Sequence, residues 1–341
     1  MATRLGLPTP LASARTVSRA VRTARRKSNV VRGLIGKTGF PYRAPSTPRG
    51  MTVPLRPSKL GADFETEWAR EGPARMLRRL ITDGPLRLAV RGIADPTVEG
   101  VDRLADLRDS DRPPPLIFTP NHHSHLDTPI SITSIPEPWR HKLVVAAAAD
   151  YFFTNRVKGA AAAIVLNALP IDRESTGRKS SDMIKDLIDD GWSLIIYPEG
   201  GRSPDGWGQE FKGGAAYLSI RTGAPVVPMF IEGSGSIYGK GMKRPKPGST
   251  KVTFGSPLTP DDGESTRRFN DRIERSVTAL GDESLTDWYT ARLRAAAGTS
   301  PPLTGPEHAG WRRTWAIAEH RSRGMSGKRK RQKRRWPNFG D

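Results

Sequence analysis

The chain has 341 residues, no cysteine and a formal net charge of +20 at pH 7. This length predicts one large domain with tails or two small domains, and the lack of cysteine excludes disulfides, thiolate metal ligands and a cysteine nucleophile. The longest charge-free apolar run, GAAAAIVLNALPI (159–171), is shorter than the roughly 18 residues that a membrane-spanning helix needs. We therefore expect no transmembrane helix.

The positive charge lies at the two ends of the chain. Residues 1–62 contain 13 Lys and Arg and no acid, and residues 311–341 contain 11 Lys and Arg with only two acids. We predict a basic, mostly disordered N-terminal tail over 1–62, a folded domain over 63–298 and a basic C-terminal tail over 299–341. Tails of this composition are attracted to anionic lipid surfaces or to nucleic acid.

Residues 63–100 have the pattern of amphipathic helices. The apolar side chains that recur at helical spacing, with arginines on the other side, are Met76, Leu77, Leu80 and Ile81. Gly84 and Pro85 are predicted to break this segment into two helices. Two interpretations stay open, because the apolar stripe either packs on its own domain or lies in a membrane interface.

From 101 to 298 the pattern predicts alternating strands and helices. The predicted strands are PLIFT (115–119), KLVVAAA (142–148), AAIVL (162–166), SLIIYP (193–198), APVVPMFI (224–231) and KVTFG (251–255). Helices are predicted around 183–188, 214–221 and 265–296. Near-continuous apolar runs are typical of strands buried on both faces, so we predict an α/β fold with a mostly parallel central sheet covered by helices. Functional residues of such sheets collect where strands end.

The first polar cluster, NHHSHLD (121–127), follows the predicted strand PLIFT and contains three of the six histidines. His122 and Asp127 are five residues apart, which on one helix would separate them by about 140°. They can meet only if His122 precedes a helix and Asp127 lies in its first turn. Ser124 is the predicted N-cap of that helix, and Ser124 and Asp127 have capping-box spacing.

Three interpretations of this cluster are open. In the structural interpretation, Asp127 only caps the helix and the histidines are solvated. A metal could instead bind His122, His123 and His125, with further ligands from other loops. In the catalytic interpretation, Asp127 orients His122 and stabilises its imidazolium form. No GxSxG nucleophile elbow occurs, so the nucleophile would then be a substrate hydroxyl that His122 deprotonates.

Further clusters carry groups that suit a phosphate. YPEGGRS (197–203) supplies a turn with Glu199, Gly200, Arg202 and Ser203, in which backbone amides and a guanidinium can donate to an anion. IDR (171–173) supplies Arg173, and FKGG (211–214) supplies Lys212 at a glycine-rich helix start. Each cluster alone also fits an ordinary turn, a surface ion pair or a solvated lysine.

The order of the clusters resembles the glycerolipid acyltransferase family that includes the 1-acylglycerol-3-phosphate acyltransferases. Residues 121–127 match its block N-H-x-S-x-x-D throughout, and YPEGGRS is similar to its block F-P-E-G-T-R-S. NALPIDR, APVVPMFI and FKGG are weaker matches, and the resemblance covers about residues 75–260. Gly201 stands where the family has threonine, and Asn167 and Pro170 depart from its glycine-led second block.

The resemblance implies a role for each candidate residue. His122 is the expected general base and Asp127 its orienting partner, with Asn121 and Ser124 in support. The residues expected to form or support the site for the acceptor's phosphate are Arg173, Glu199, Gly200, Arg202, Ser203 and Lys212. His123 and His125 occupy variable positions of the block and are predicted to be incidental. The resemblance implies no metal and no bound cofactor.

The resemblance also implies an activity. An acyl group would pass from acyl-CoA or acyl carrier protein to the free hydroxyl of a lysophospholipid, above all 1-acylglycerol-3-phosphate, giving phosphatidate for phospholipid synthesis. Another lyso- or glycerol-phosphate acceptor is the alternative. The domain (63–298) would sit peripherally on the cytoplasmic side of an anionic membrane, held by its tails and amphipathic helices, without a specific nucleic-acid partner. A non-enzymatic basic module that binds nucleic acid or membrane stays open, with KRKRQKRR (328–335) in its favour.

Overall fold

The computed structural model describes residues 64–148, 152–153, 156–171, 178–203 and 206–305. The predicted N-terminal tail, Arg173 and the C-terminal tail from residue 306 lie outside the described residues.

Within the described part of the chain, seven strands form one sheet in the order β1-β7-β6-β2-β5-β3-β4. The strands are β1 (Pro96–Glu99), β2 (Ile117–Pro120), β3 (Leu143–Ala148), β4 (Ala168–Ile171), β5 (Ser193–Ile195), β6 (Val226–Glu232) and β7 (Thr250–Phe254). Neighbouring strands are parallel except for the antiparallel pair β6 and β7. The predicted mostly parallel sheet is confirmed.

Helices cover both faces of this sheet. They are α1 (Gly72–Ile81), α2 (Arg87–Ala94), α3 (Ala105–Arg108), α4 (Asp127–Ser134), α5 (Arg156–Leu166), α6 (Arg178–Asp189), α7 (Gly214–Thr222), α8 (Ser234–Tyr238), α9 (Thr266–Leu285) and α10 (Trp288–Ala297). The helices predicted around 183–188, 214–221 and 265–296 are confirmed as α6, α7 and the pair α9 and α10. Gly223 ends α7 in the left-handed conformation, which glycine adopts without a steric penalty.

The core has two layers, one on each face of the sheet. Phe118 and Ile195 pack on one side with residues of α2 and α4. Their neighbours in the chain, Ile117 and Leu194, pack on the other side with residues of α6, α7 and α9. Successive side chains of a strand point to opposite faces, so continuous apolar runs are required where both faces are covered.

The prediction of a strand at AAIVL (162–166) is wrong. These residues form the end of α5, and the strand β4 comes directly after them at Ala168–Ile171. A short apolar run does not distinguish a buried strand from a buried helix by its periodicity. Four successive alanines, which favour helix most strongly, decide the outcome here.

The predicted division into two helices at Gly84 and Pro85 is confirmed, although the segment between them is not a loop. A wider turn with five-residue hydrogen-bond spacing, Thr82–Leu86, joins α1 to α2, and the backbone stays helical on both sides of it. A proline has no N–H and crowds the preceding turn, and a locally wider helix accommodates both effects. The helical segment ends at Ala94, and the edge strand β1 occupies the last residues of the range that we predicted to be helical.

The apolar stripe of α1 faces away from the protein core. Met76, Leu77 and Leu80 are 68%, 46% and 62% exposed, whereas Arg78 is only 8% exposed. The Arg78 guanidinium donates to the carbonyl oxygens of Ala69 and Ala163, and burial lowers its pKa to about 10. Met76, Leu77 and Leu80 therefore do not pack on the domain, which was one of the two interpretations of this stripe.

The folded part continues past residue 298, the predicted boundary. The Gly208 amide donates to the Leu303 carbonyl over 2.9 Å, and the Leu303 side chain packs against the core residues Phe230 and Leu280. None of the helices in the described ranges is long and apolar enough to cross a membrane.

The sheet order places the carboxyl ends of three neighbouring strands together. β2 lies between β5 and β6 and is parallel to both. NHHSHLD follows β2, YPEGGRS follows β5, and α8 follows β6. Side chains that the chain separates by about a hundred residues therefore meet at one edge of the sheet.

Candidate functional site

His122 and Asp127 meet across the junction between β2 and α4. The His122 Nδ1 atom lies 2.9 Å from the Asp127 Oδ2 atom. His122 lies before the helix and Asp127 is its first residue, as the spacing argument requires. Because a carboxylate oxygen accepts hydrogen bonds, Nδ1 carries the proton in this pair, and Nε2 keeps its lone pair. Nε2 makes no hydrogen bond to a described residue, and the His122 side chain is 17% exposed.

The same carboxylate oxygen also organises the loop. The backbone N–H groups of His123 and Ser124 both donate to Asp127 Oδ2 over 2.7 Å. Asp127 Oδ1 is buried and has no hydrogen-bond partner among the described residues. Asp127 therefore serves the loop and His122 through the same oxygen.

Ser124 is not the N-cap that we predicted. Leu126 occupies that position, and the Ser124 hydroxyl accepts from the Leu126 N–H group over 3.1 Å. The hydroxyl donates to the Tyr238 carbonyl of α8 over 2.9 Å. The helix starts later than the capping-box pattern suggests, because Asp127 is its first residue. Ser124 instead ties the His122 loop to α8.

The loop after β5 holds the main chain of His122 from both sides. The His122 N–H group donates to Glu199 Oε1 over 2.8 Å, and the Ser203 N–H group donates to the His122 carbonyl over 2.8 Å. The second Glu199 oxygen accepts from the Gln209 N–H group over 2.9 Å. Glu199 is 3% exposed, so its contacts suit a supporting role and not direct contact with a phosphate.

Arg202 reaches His125. An Arg202 Nη1 atom contacts the His125 Nε2 atom, and the His125 ring packs at a tilt against the Tyr238 ring with 4.8 Å between centroids. Burial lowers the pKa of His125, and the positive charges of Arg202 and His122 lower it further, against a smaller effect of Asp127. Neutral His125 can accept from the guanidinium. We expected no role for His125 from the sequence, and the structure gives it two side-chain neighbours, Arg202 and Tyr238.

Tyr197 forms one wall of the site. Its ring stacks on the His122 imidazole with 4.0 Å between centroids and 24° between planes. Its hydroxyl lies 2.9 Å from the Thr128 hydroxyl. Burial raises the pKa of Tyr197 far above its usual range, and the charge of Asp127 adds to this effect. The phenol therefore stays protonated and does not compete with His122 as a base.

Gly200 and Lys212 lie against each other. A side chain on Gly200, whose φ is +68°, would come within 2.6 Å of the Lys212 Nζ atom. The Gly200 N–H group donates to the Tyr197 carbonyl, so this amide is engaged within the turn. The Ser203 hydroxyl likewise accepts from the Gly206 N–H group. Several described residues were predicted to bind a phosphate. Of these, the cations Arg202 and Lys212 are the ones whose side chains suit an anion.

Asn121 has a structural position at the end of β2. Its side-chain amide donates to the Ile231 carbonyl over 3.1 Å and accepts from the Ile231 N–H group over 2.7 Å. The side chain continues the pairing between β2 and β6 where the main chain of β2 turns away. Asn121 supports the His122 loop in this way and is fully buried.

The histidines of the first cluster point to different partners. His122 contacts Asp127 and Tyr197, whereas His125 contacts Arg202. Over the residues that the structure describes, no group of three or more His, Asp and Glu side chains is arranged to hold a metal ion.

Sequence reasoning missed Tyr197, Thr128, Gln209 and Tyr238. Tyr197 carried a signal, because it is the first residue of YPEGGRS, but a strand-end aromatic residue has no distinctive pattern. Gln209 and Tyr238 contact the site through their backbones as well as their side chains. A backbone contact has no signature in residue type.

Known proteins are similar to the central part of this chain. The family model described as Acyltransferase matches residues 97–232. A 1-acyl-sn-glycerol-3-phosphate acyltransferase of Cocos nucifera is 30% identical over 114 residues, which are 33% of this chain and 37% of that protein. The chloroplastic enzyme BAT2 of Brassica napus is 31% identical over 144 residues, 41% of this chain and 39% of that protein.

More distant relatives cover more of the chain. The 1-acyl-sn-glycerol-3-phosphate acyltransferase alpha of Homo sapiens is 26% identical over 181 residues, 51% of this chain and 61% of that protein. The crystal structure of the 1-acyl-sn-glycerophosphate (LPA) acyltransferase PlsC of Thermotoga maritima is 23% identical, covering 65% of this chain and 84% of that chain, with a TM-score of 0.47. The chain spans somewhat under two fifths of the length of the Cocos and Brassica relatives. The match to the Acyltransferase family model is confined to residues 97–232, which contain both polar clusters of the candidate site.

Proposed function

We propose that this protein is an O-acyltransferase that moves an acyl group from a thioester to the free hydroxyl of 1-acylglycerol-3-phosphate, giving phosphatidate. The observation that carries the proposal is the contact between His122 and Asp127. The His122 Nδ1 atom lies 2.9 Å from Asp127 Oδ2, and the His122 Nε2 atom makes no hydrogen bond to a described residue. A ring nitrogen with a lone pair beside an orienting carboxylate is the arrangement of a general base. The family and the names of its curated relatives support this acceptor.

The proposed reaction is one direct transfer. His122 Nε2 takes the proton of the acceptor hydroxyl while the hydroxyl oxygen attacks the thioester carbonyl. The tetrahedral intermediate collapses, the ester forms and the C–S bond breaks. The leaving thiolate then takes the proton back from the imidazolium. Asp127 stabilises the imidazolium between the two proton transfers, and neither metal nor cofactor enters any step.

The acceptor phosphate would lie near Arg202 and Lys212. Both cations belong to the loop after β5, which also holds His122 through Glu199. A guanidinium can donate two hydrogen bonds to one phosphate, and an ammonium adds a point charge. Arg173 is proposed as a further phosphate contact from its place in the sequence. The thioester is proposed to be acyl-CoA or acyl carrier protein, with neither preferred.

The acceptor is a lipid, so the protein is proposed to work peripherally at the cytoplasmic face of a membrane. Met76, Leu77 and Leu80 of α1 are exposed, and an apolar stripe beside arginines is typical of helices that lie in a lipid interface. The basic tails would add attraction to anionic lipid.

The test is thioester-dependent acylation of lysophosphatidate by the purified full chain in detergent micelles. His122→Ala should lower kcat by roughly 10²–10⁴-fold, the usual contribution of a general base. His320→Ala, a matched change in the predicted tail, should leave kcat unchanged. Undiminished activity in His122→Ala would refute the mechanism. A panel of lyso-acceptors, each with acyl-CoA and with acyl carrier protein, would identify the substrates, and no transfer to any of them would refute the function.

A further inference from the structure

A cluster of cations follows α8 and has no role in the proposed chemistry. The segment 239–249, GKGMKRPKPGS, which we call the basic rim loop, connects α8 to β7. Its cations are Lys240, Lys243, Arg244 and Lys246, and all four are exposed. The chain contains no acidic residue between Glu232 and Asp261. The cluster is therefore uncompensated within its own segment.

Three of these four cations are not neutralised by neighbouring elements either. Lys243, Arg244 and Lys246 form no ion pair with any residue in the described ranges, whereas the nearby Lys251 of β7 pairs with Glu99 over 2.8 Å. Like charges a few ångströms apart repel each other, and an anionic surface outside the protein would relieve that repulsion. The rim loop thus offers a concentrated positive surface to solvent.

Backbone hydrogen bonds fix the rim loop beside the candidate site. At its start, the Tyr238 carbonyl accepts from the Ser124 hydroxyl over 2.9 Å and from the His125 N–H group over 3.2 Å. At its end, the Gly248 N–H group donates to the Ile93 carbonyl of α2 over 3.0 Å. The cations therefore lie at the same sheet edge as His122 and Arg202, between the catalytic loop and α2.

We propose that the basic rim loop docks on the anionic headgroups of a phospholipid bilayer and holds this edge of the sheet against the membrane. The inference rests on the proposed function, because a lysophospholipid acceptor resides in that membrane and must reach His122 from it. Charge complementarity selects the occupant, since the loop offers cations and none of the large exposed hydrophobic side chains of the described residues. Neutralising three cations should weaken the loop's contact with anionic lipid by roughly 100-fold, from the usual effect of one Lys or Arg near such a surface.

The absence of cysteine permits a site-specific test in the full chain. An environment-sensitive fluorophore is attached at Ser249→Cys, an exposed position in the rim loop, and separately at Ser256→Cys. Ser256 is an exposed serine in the next loop, which pairs with the beginning of β6 at the opposite edge of the sheet. The probe reports local contact with lipid, so vesicle binding by the basic tails does not produce the signal.

Vesicles of phosphatidylcholine with phosphatidylglycerol should shift the fluorescence of the Ser249→Cys label and expose it to quenching by headgroup-labelled lipid. Pure phosphatidylcholine vesicles should not, and the Ser256→Cys label should not respond to either. K243Q/R244Q/K246Q should abolish the shift, whereas R267Q/R268Q/R275Q, which removes three exposed cations from α9, should retain it.

An unchanged Ser249→Cys signal on vesicles to which the protein demonstrably binds would overturn the proposal. So would a K243Q/R244Q/K246Q variant with an unaltered signal and a raised KM for acyl-CoA in micelles, because the loop would then bind the donor's phosphates. The fluorescence needs no turnover, so failure of the docking and failure of the acyltransferase activity are separately visible.

Discussion

The loop after β2 and the loop after β5 build the candidate site in different ways. The loop after β2 brings His122 to Asp127 across five residues, through contacts within one turn. The loop after β5 contributes Glu199 and Arg202, each 77 residues from its partner in the first loop. The first loop therefore contains the proposed base and its partner, whose contact local spacing specifies, and the second loop holds and surrounds them through long-range contacts. Four substitutions test this division, from the largest expected effect to the smallest.

Asp127→Asn should have the largest effect, because it removes charge from the local pair. A neutral amide cannot stabilise the imidazolium, and its nitrogen cannot accept from Nδ1–H, so kcat should fall by roughly 10²–10⁴-fold. Ser124→Ala is the matched control, since it removes a hydroxyl of the same loop and leaves the pair intact. Steady-state kinetics on lysophosphatidate measures both. Wild-type kcat in Asp127→Asn would contradict the assignment of the first loop.

Glu199→Gln should weaken the hold of the second loop on the first. An amide nitrogen replaces one of two oxygens that accept from buried backbone N–H groups, so one donor, on His122 or on Gln209, loses its acceptor. The free energy of unfolding should fall by about 1–3 kcal/mol, measured by urea denaturation. The control is Glu210→Gln, at an exposed position next to Gln209 in the chain. It should change the free energy of unfolding by less than about 0.5 kcal/mol. Equal stability of the two variants would show that Glu199 does not support the site.

His125 should make phosphate binding sensitive to pH. Its pKa is lowered in the folded protein, so it is neutral at pH 7 and able to accept from Arg202. The ordinary pKa of a histidine is about 6.5. As the pH falls below this value and then through the lowered pKa of the folded protein, His125 becomes protonated, and its positive charge repels that of Arg202. The groups that face His125 are Arg202, His122, Asp127 and the Tyr238 ring. KM for the acceptor should therefore rise on acidification.

The protonation of His125 also makes the free energy of unfolding depend on pH. The unfolded chain protonates His125 at a higher pH than the folded chain, so the stabilising contribution of neutral His125 is complete above about pH 6.5 and declines as the pH falls through the folded value. His125→Gln keeps an acceptor but does not titrate. A KM that rises equally at low pH in His125→Gln would assign the effect to another group.

Tyr197→Phe should have the smallest effect, because it keeps the ring stacked on His122 and removes only the hydroxyl bond to Thr128. We expect a change of a few-fold in kcat, with Thr128→Val giving a similar change. Tyr197→Leu removes the ring and should cost up to about 10-fold, from the usual strength of an aromatic pair. If Tyr197→Phe were as damaging as Tyr197→Leu, the hydroxyl and not the ring would position the imidazole.

Prediction from sequence succeeded where the residues of one short segment are sufficient to identify the feature. The strands β2, β3, β5, β6 and β7 were recognisable because apolar runs bounded by polar clusters are required of strands covered on both faces. The His122 and Asp127 pair was recognisable because its spacing allows contact only at a turn-to-helix junction. AAIVL (162–166) failed because its length and composition fit either a helix or a strand.

The exposed stripe of α1 shows a second kind of limit. Periodicity identified Met76, Leu77 and Leu80 as one face, but it cannot tell whether that face meets the core or solvent. The structure turns the face outward and buries Arg78 instead, against the carbonyl groups of Ala69 and Ala163. Burial of an arginine depends on acceptors from distant segments, which no local pattern reports.

The sequence by itself determined the α/β class, the mostly parallel sheet and the contact between His122 and Asp127, since each follows from patterns within short segments of the chain. Only the tertiary structure decided that Glu199 serves the backbone of His122, that His125 contacts Arg202, that Tyr197 stacks on the imidazole and that the basic rim loop lies at the same edge of the sheet. These contacts arise because β5, β2 and β6 are neighbours, and strand order is a property of the folded chain.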